Sequence, residues 1–167
     1  MIEVVIDSIR ISLISQHRIV MLRDVDGERQ LPIWIGPCEA EAITIELQDM
    51  EIARPVTHDL LKNVIGEMGG TVSHILINEL RDQVFYARLF IDMAGEMMEV
   101  DCRPSDAIAV SVRAKVPIFV DESVMEEAGI VPEPDVEEDV ATDSPEKLDA
   151  FKDFVDTLDF DDFENDE

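Results

Sequence analysis

The residues best suited to chemistry sit at two helix starts. Asp101 and Arg103 end a predicted strand, and Asp106 follows Pro104 just inside the next helix. Upstream, Arg54-Pro55 leads into Thr57-His58-Asp59, and Glu39 follows Pro37. Two routes to phosphoryl chemistry fit these types. In one, carboxylates drawn from Asp101, Asp106, Glu39 and Asp59 hold a divalent cation such as Mg²⁺ and aim water, while Arg103 and Arg54 neutralise charge on the phosphorane. In the other, His58 beside Asp59 takes a proton without a metal, since an imidazole titrates near neutrality. Arg54 and Arg103 each precede a proline and a helix, so guanidinium and free backbone N–H groups can meet on one anion. The candidates are therefore Asp101, Arg103, Asp106, His58 and Asp59 as catalytic groups, Arg54 and Arg103 as phosphate ligands, and Glu39 as a supporting acid. The types present do not name a metal.

Each residue also has a plain structural role. Arg103 can pair with Asp101 or Asp59 to brace its turn, and Asp106 and Glu39 suit the positive ends of helices. His58 and Asp59 fall in a first helical turn, where polar residues are ordinary. Trp34 and Phe85-Tyr86 lie among aliphatics in strands, which favours core packing over base stacking. His17 and His74 have no partner evident in sequence. Cys38 and Cys102 lack metal-ligand spacing and read as small buried thiols of a reducing compartment.

The elements that must position these groups come as a repeat. A shift of 67 residues lays Pro104, Asp106, Ala107, Ala109, Val110, Ser111 and Val112 over Pro37, Glu39, Ala40, Ala42, Ile43, Thr44 and Ile45. Each segment follows a strand, and Asp26-Gly27-Glu28 matches Ala94-Gly95-Glu96 as a hairpin turn with a one-residue slip. A duplicated β-β-β-α unit follows. Ile2, Val4 and Ile6 alternate, then Ile9, Ile11 and Leu13 alternate in the other phase, which puts a bulge at Asp7-Ser8 of one long strand. Arg18 to Val25 and Gln30 to Ile35 are strands. A helix runs from Cys38 to about Met50, with Ala40, Ile43, Leu47 and Met50 as its apolar stripe. Thr57 caps a second helix carrying Leu60, Leu61, Val64, Ile65 and Met68, stopped by Gly69-Gly70. Strands follow over 71–80, 84–92 and 97–102. Ser105 caps a third helix so apolar that it must be buried, then come a short strand at Pro117 to Val120 and a short helix at Ser123 to Ala128.

Composition shifts at Val131. From Pro132 onward there are sixteen acids against two bases. Residues 1–131 read as one α+β domain, 132–144 as an acidic linker, and 145–167 as an amphipathic helix and acidic tail, with Leu148, Phe151, Val155 and Leu158 on one stripe. A helix this short needs a surface to dock on, whether its own domain, a neighbouring subunit or another protein. The net charge of −26 ordinarily argues against a polyanion partner. Yet only four of the thirteen bases are lysine, and an acid-rich, lysine-poor surface suits a salt-loaded cytoplasm, where the Debye length falls to about 3 Å at 1 M. No signal peptide or membrane-spanning run is evident, so a cytoplasmic protein is expected.

The motifs Leu31-Pro-Ile-Trp-Ile-Gly36 with Glu39-Ala40, Arg54-Pro55-x-Thr57-His58-Asp59, Phe85-Tyr86-Ala87 and Asp101-x-Arg103-Pro104-Ser105-Asp106-Ala107 resemble the bifunctional nuclease domain family over about Met1 to Val124. That resemblance implies an α+β domain with a large mixed sheet and packed helices, a homo-oligomer, and a nuclease acting on DNA or RNA, a label that comes from plant members. It carries no established catalytic set. Composition also fits a non-catalytic oligomeric scaffold that binds a protein through its surface and tail, and the Arg-Pro helix starts fit a third function, a small-anion or nucleotide sensor.

Overall fold

The computed structural model describes residues 1–12 and 17–132, all of which fall in one compact unit, Met1–Pro132. The expected linker and C-terminal helix lie outside the described residues. The elements run β1 (Ile2–Ile11), β2 (Arg18–Asp24), β3 (Gln30–Ile35), α1 (Pro37–Leu47), α2 (Thr57–Glu67), β4 (Gly70–Arg81), β5 (Val84–Met93), β6 (Glu96–Cys102), α3 (Pro104–Ala114), β7 (Ile118–Val120) and α4 (Glu122–Ala128). The α+β class with a large mixed sheet is as expected. Seven strands form one sheet in the order β3-β2-β1-β7-β4-β5-β6. Two antiparallel meanders, β1-β2-β3 and β4-β5-β6, flank β7, which pairs antiparallel with β1 and parallel with β4. Each half repeats the order strand, strand, strand, helix.

Hydrophobic alternation sets the register. The β1–β2 pairing slips between Ile6 and Ser8, at the phase change in the apolar pattern, and the bulge keeps Ile9 on the core with Ile2 and Ile6, while Ile11 is exposed and Leu13 lies outside the described residues. The β5–β6 hairpin turns at Ala94-Gly95, both with positive φ (57° and 94°), the conformation such two-residue turns demand. The core gathers Val20, Leu22, Leu31 and Ile33 from one meander and Ile75, Ile77, Ala87 and Leu89 from the other against Ile43, Ile108, Ala109 and Val110 of the helices. α3 is its centre. Eight of its eleven residues are buried, and it packs on α1, α2, β4 and β5, so truncating Ile108 to alanine is expected to cost about 2–5 kcal/mol.

Several expectations are corrected. Trp34 is 59% exposed. Leu31, Ile33 and Ile35 take the buried face of β3, which sends Trp34 to the other side, where it meets His17 edge-on at 5.7 Å between centroids. His74 stacks on Phe90. Leu47 and Met50 are half exposed, since α1 buries only Ala40, Ala42 and Ile43. α2 buries only His58 and Ile65, and Leu60, Leu61, Val64 and Met68 remain open to solvent. Thr57 and Ser105 are not caps: Val56 and Arg103 hold those positions without a side-chain cap bond, because Pro104 takes the first helical position and pushes Ser105 inside. Cys38 is exposed, not buried. Cys102 is half-buried; its thiol donates to the carbonyl of Ala87 at 3.5 Å, and burial, with Asp101 and Asp106 nearby, pushes its pKa up to about 11.

Candidate functional site

Three helices start around one cleft. The first turns of α1 (Cys38, Glu39), α2 (Thr57, His58) and α3 (Arg103, Asp106) line a cavity of about 400 Å³. None of the three has a side-chain N-cap bond. The cleft thus collects the positive ends of three helix dipoles.

Arg103 lies across this opening, its side chain 65% exposed. Its Nε donates to Oδ2 of Asp106 at 2.7 Å, and its Nη2 donates to Oδ1 of Asp106 at 2.9 Å and to Oε1 of Glu39 at 2.8 Å. The hydrogen bonds it donates to Asp106 first, and then to Glu39, hold the guanidinium pKa above its ordinary value. Conversely, Arg103 holds Asp106 below the usual carboxylate range, with His58 adding to the effect and burial opposing it. Nε2 of His58 lies 3.3 Å from Oδ1 of Asp106, and Nδ1 of His58 is buried with no hydrogen-bond partner among the described residues. Glu39 folds back over Gly36: a Cβ at that position would run into the Glu39 carboxylate. Gly36 is thus part of how Glu39 reaches Arg103, a role that its turn-like Ile-Gly-Pro context did not disclose.

Glu39, His58, Arg103 and Asp106 therefore come together in one cleft, Asp101 meets the last three only in the adjoining groove, and Asp59 and Arg54 lie elsewhere. Asp59 faces a separate small cleft with Arg54 and Arg113. Its Oδ2 accepts the Val56 N–H at 2.8 Å and its Oδ1 accepts Nε of Arg113 at 2.6 Å. Burial alone would raise the Asp59 pKa, but the Val56 and Arg113 bonds outweigh it and hold the carboxylate low. Arg54 is exposed beside that ion pair. Asp101 pairs with Arg88 across β5–β6, which by strand alternation puts it on the face away from the buried Ala87 and Leu89; it borders the cleft from the strand end.

Arg113 is the residue that motif reading passed over. Buried to 3% exposure, it also donates to the carbonyls of Ala109 at 2.8 Å and Ala42 at 3.0 Å. It ties α1, α2 and α3 together and so fixes where their first turns lie. The available signal was a lone arginine inside an otherwise apolar helix.

The donor set does not fit a divalent cation. Of the three acids that line the cleft, Glu39, Glu41 and Asp106, Glu39 and Asp106 share a guanidinium that takes the place a cation would need, and no three His, Cys, Asp or Glu side chains group as a cage among the described residues. No helix described is long and apolar enough to cross a membrane.

Comparison with known proteins agrees with the motifs. The bifunctional nuclease domain matches residues 20–133. An uncharacterized protein of Mycobacterium tuberculosis is 38% identical over 162 residues, covering 96% of this chain and 97% of that one. Bifunctional nuclease 2 of Oryza sativa subsp. japonica is 36% identical over 115 residues, 66% of this chain and 35% of the rice protein. Bifunctional nuclease 1 of Arabidopsis thaliana is 30% identical over 110 residues, 64% and 34% of the two chains. The match thus spans about a third of each plant protein.

Proposed function

The chain belongs to the bifunctional nuclease domain family, and from that premise we propose that it hydrolyses phosphodiester bonds of DNA or RNA at the Arg103 cleft. The observation that carries the reading is the convergence of three helix starts on one exposed guanidinium. In the resting geometry Arg103 is occupied by Glu39 and Asp106. A phosphodiester competes with both carboxylates for the fork, and the helix N-termini favour its negative charge. Once Arg103 turns to the phosphate, Asp106 loses the interaction that lowers its pKa and becomes a better base. It then takes a proton from water held by Nε2 of His58. The water oxygen bonds to phosphorus, the bond to the leaving nucleoside oxygen breaks, and that oxygen takes a proton from solvent. Arg103 offsets the charge that develops on the phosphoryl oxygens. Asp101, Asp59 and Arg54 stand outside this step, as border or brace.

Cleavage of an end-labelled oligonucleotide by the purified chain tests this. Wild type should exceed a mock preparation, and Asp106→Asn, which keeps size and removes the base, should lose about 100-fold. Equal cleavage by both would overturn it. A chelator should leave the rate unchanged, because no step uses a metal.

A second reading is a non-catalytic anion-binding or scaffold module. It draws on the same bonds: a guanidinium already held by two carboxylates is also a brace between α1 and α3. Under that reading no cleavage exceeds the mock at any salt.

We further read the two β-β-β-α halves as copies of one ancestral unit, residues 1–131 as the nuclease-like domain, and the assembly as a cytoplasmic homo-oligomer. The acidic surface is read as a salt adaptation. Its test is the melting temperature, which should climb between about 0.1 and 1 M KCl as the Debye length falls from about 10 to 3 Å; a flat response contradicts it.

A further inference from the structure

We infer that the Arg103 site takes an unpaired nucleotide, with the phosphate on Arg103 and the base in an apolar groove beside it. The inference rests on the phosphodiester reading above and adds the form of nucleic acid that fits. The groove, about 720 Å³, runs between α2 and the β5–β6 strands, a size suited to a compact organic ligand. Leu61 and Ile65 of α2 line it together with Phe85 and Leu89 of β5 and Val100 of β6. It is continuous with the helix-start cleft, since Thr57, His58, Arg103 and Asp106 line both.

Three features favour a base as occupant. Leu61 and Val100 are 41% and 38% exposed, so apolar surface lies open directly beside a cation. A nucleotide matches that order, with a flat, weakly polar base next to a phosphate, whereas an inorganic anion would leave the groove unused. His58 lines both cavities, so the groove and the phosphate cleft meet at one flat ring. Charge favours one strand over two. At low salt the chain's charge of −26 repels every additional phosphate brought near it without a basic partner. Bases within a duplex are also stacked inward and reach a lateral groove only after unpairing.

The test uses the full chain and three oligonucleotides of one sequence and length: single-stranded, fully paired, and single-stranded with abasic sites. Binding and cleavage are measured for wild type, for Leu61→Ser in the groove, and for Arg103→Ala. The single strand should be bound and cut at least tenfold better than the duplex or the abasic strand. Leu61→Ser should remove most of that preference while the melting temperature stays near wild type. If wild type handles all three alike, with Arg103→Ala inactive on each, the groove assignment is overturned and the phosphodiester site stands. If no oligonucleotide is bound or cut above a mock preparation, both fall.

Discussion

The two ends of α3 carry the same pairing in opposite settings. At its last turn Arg113 is 3% exposed and bonds Asp59 and two main-chain carbonyls. At its N-cap Arg103 bonds Asp106 and Glu39 with its side chain 65% exposed. A buried guanidinium with every partner in place cannot exchange them without leaving a charge unpaired in the interior. An exposed one can trade a carboxylate for a phosphate at little cost, because water screens both arrangements. Arg113 therefore positions the helices, and Arg103 is free to act.

The largest effect should come from the buried end. Arg113→Ala strands Asp59 and should cost about 3–5 kcal/mol in urea unfolding; wild-type stability in this variant would erase the contrast. Next is the pH response of Asp59. Its folded pKa is held low, so its contribution is fully present above the ordinary carboxylate range and is lost as pH falls through the folded value. Wild-type melting temperature should therefore drop below about pH 4, and Asp59→Asn should start lower at neutral pH and show a shallower acid slope. Parallel curves would remove the linkage. Gly36→Ala should have a smaller effect on stability, about 1 kcal/mol, yet it should move Glu39 off Arg103 because the new Cβ collides with the carboxylate. An unchanged response to phosphate-bearing ligands in that variant would show Glu39 to be irrelevant. The smallest change in stability, about 1 kcal/mol or less, is expected for Arg103→Ala.

Much of the scaffold was legible, because alternation and helical spacing are local signals. The β1 bulge, both hairpins and the buried third helix follow from the apolar pattern, and Ile6/Ser8 and Ala94-Gly95 fall where that pattern places them. What periodicity could not tell is which apolar faces find cover. Leu60, Leu61 and Val64 form a proper helical stripe, yet α2 leaves them open, since coverage depends on neighbours distant in sequence. Trp34 went astray for the same reason: aliphatic company within a strand does not reveal which face is buried. The site was half legible. Glu39, His58, Arg103 and Asp106 meet because three helix starts converge, a tertiary fact. Asp59 is adjacent to His58 in sequence but is turned to the other side of the helix end and captured by Arg113. Asp101, two residues before Arg103, lies on the sheet face away from Val100 and Cys102, as their alternation already implied, and meets the cleft only at its border. Arg113 drew no notice because a single arginine in an apolar run carries no motif.

The most direct measurement puts melting temperature and oligonucleotide cleavage side by side for Arg103→Ala, with circular dichroism confirming the fold. A fall of about 100-fold or more in cleavage, with the melting temperature close to wild type, is the predicted result. Cleavage that persists in this variant, or a fall in melting temperature as large as that of Arg113→Ala, would contradict it.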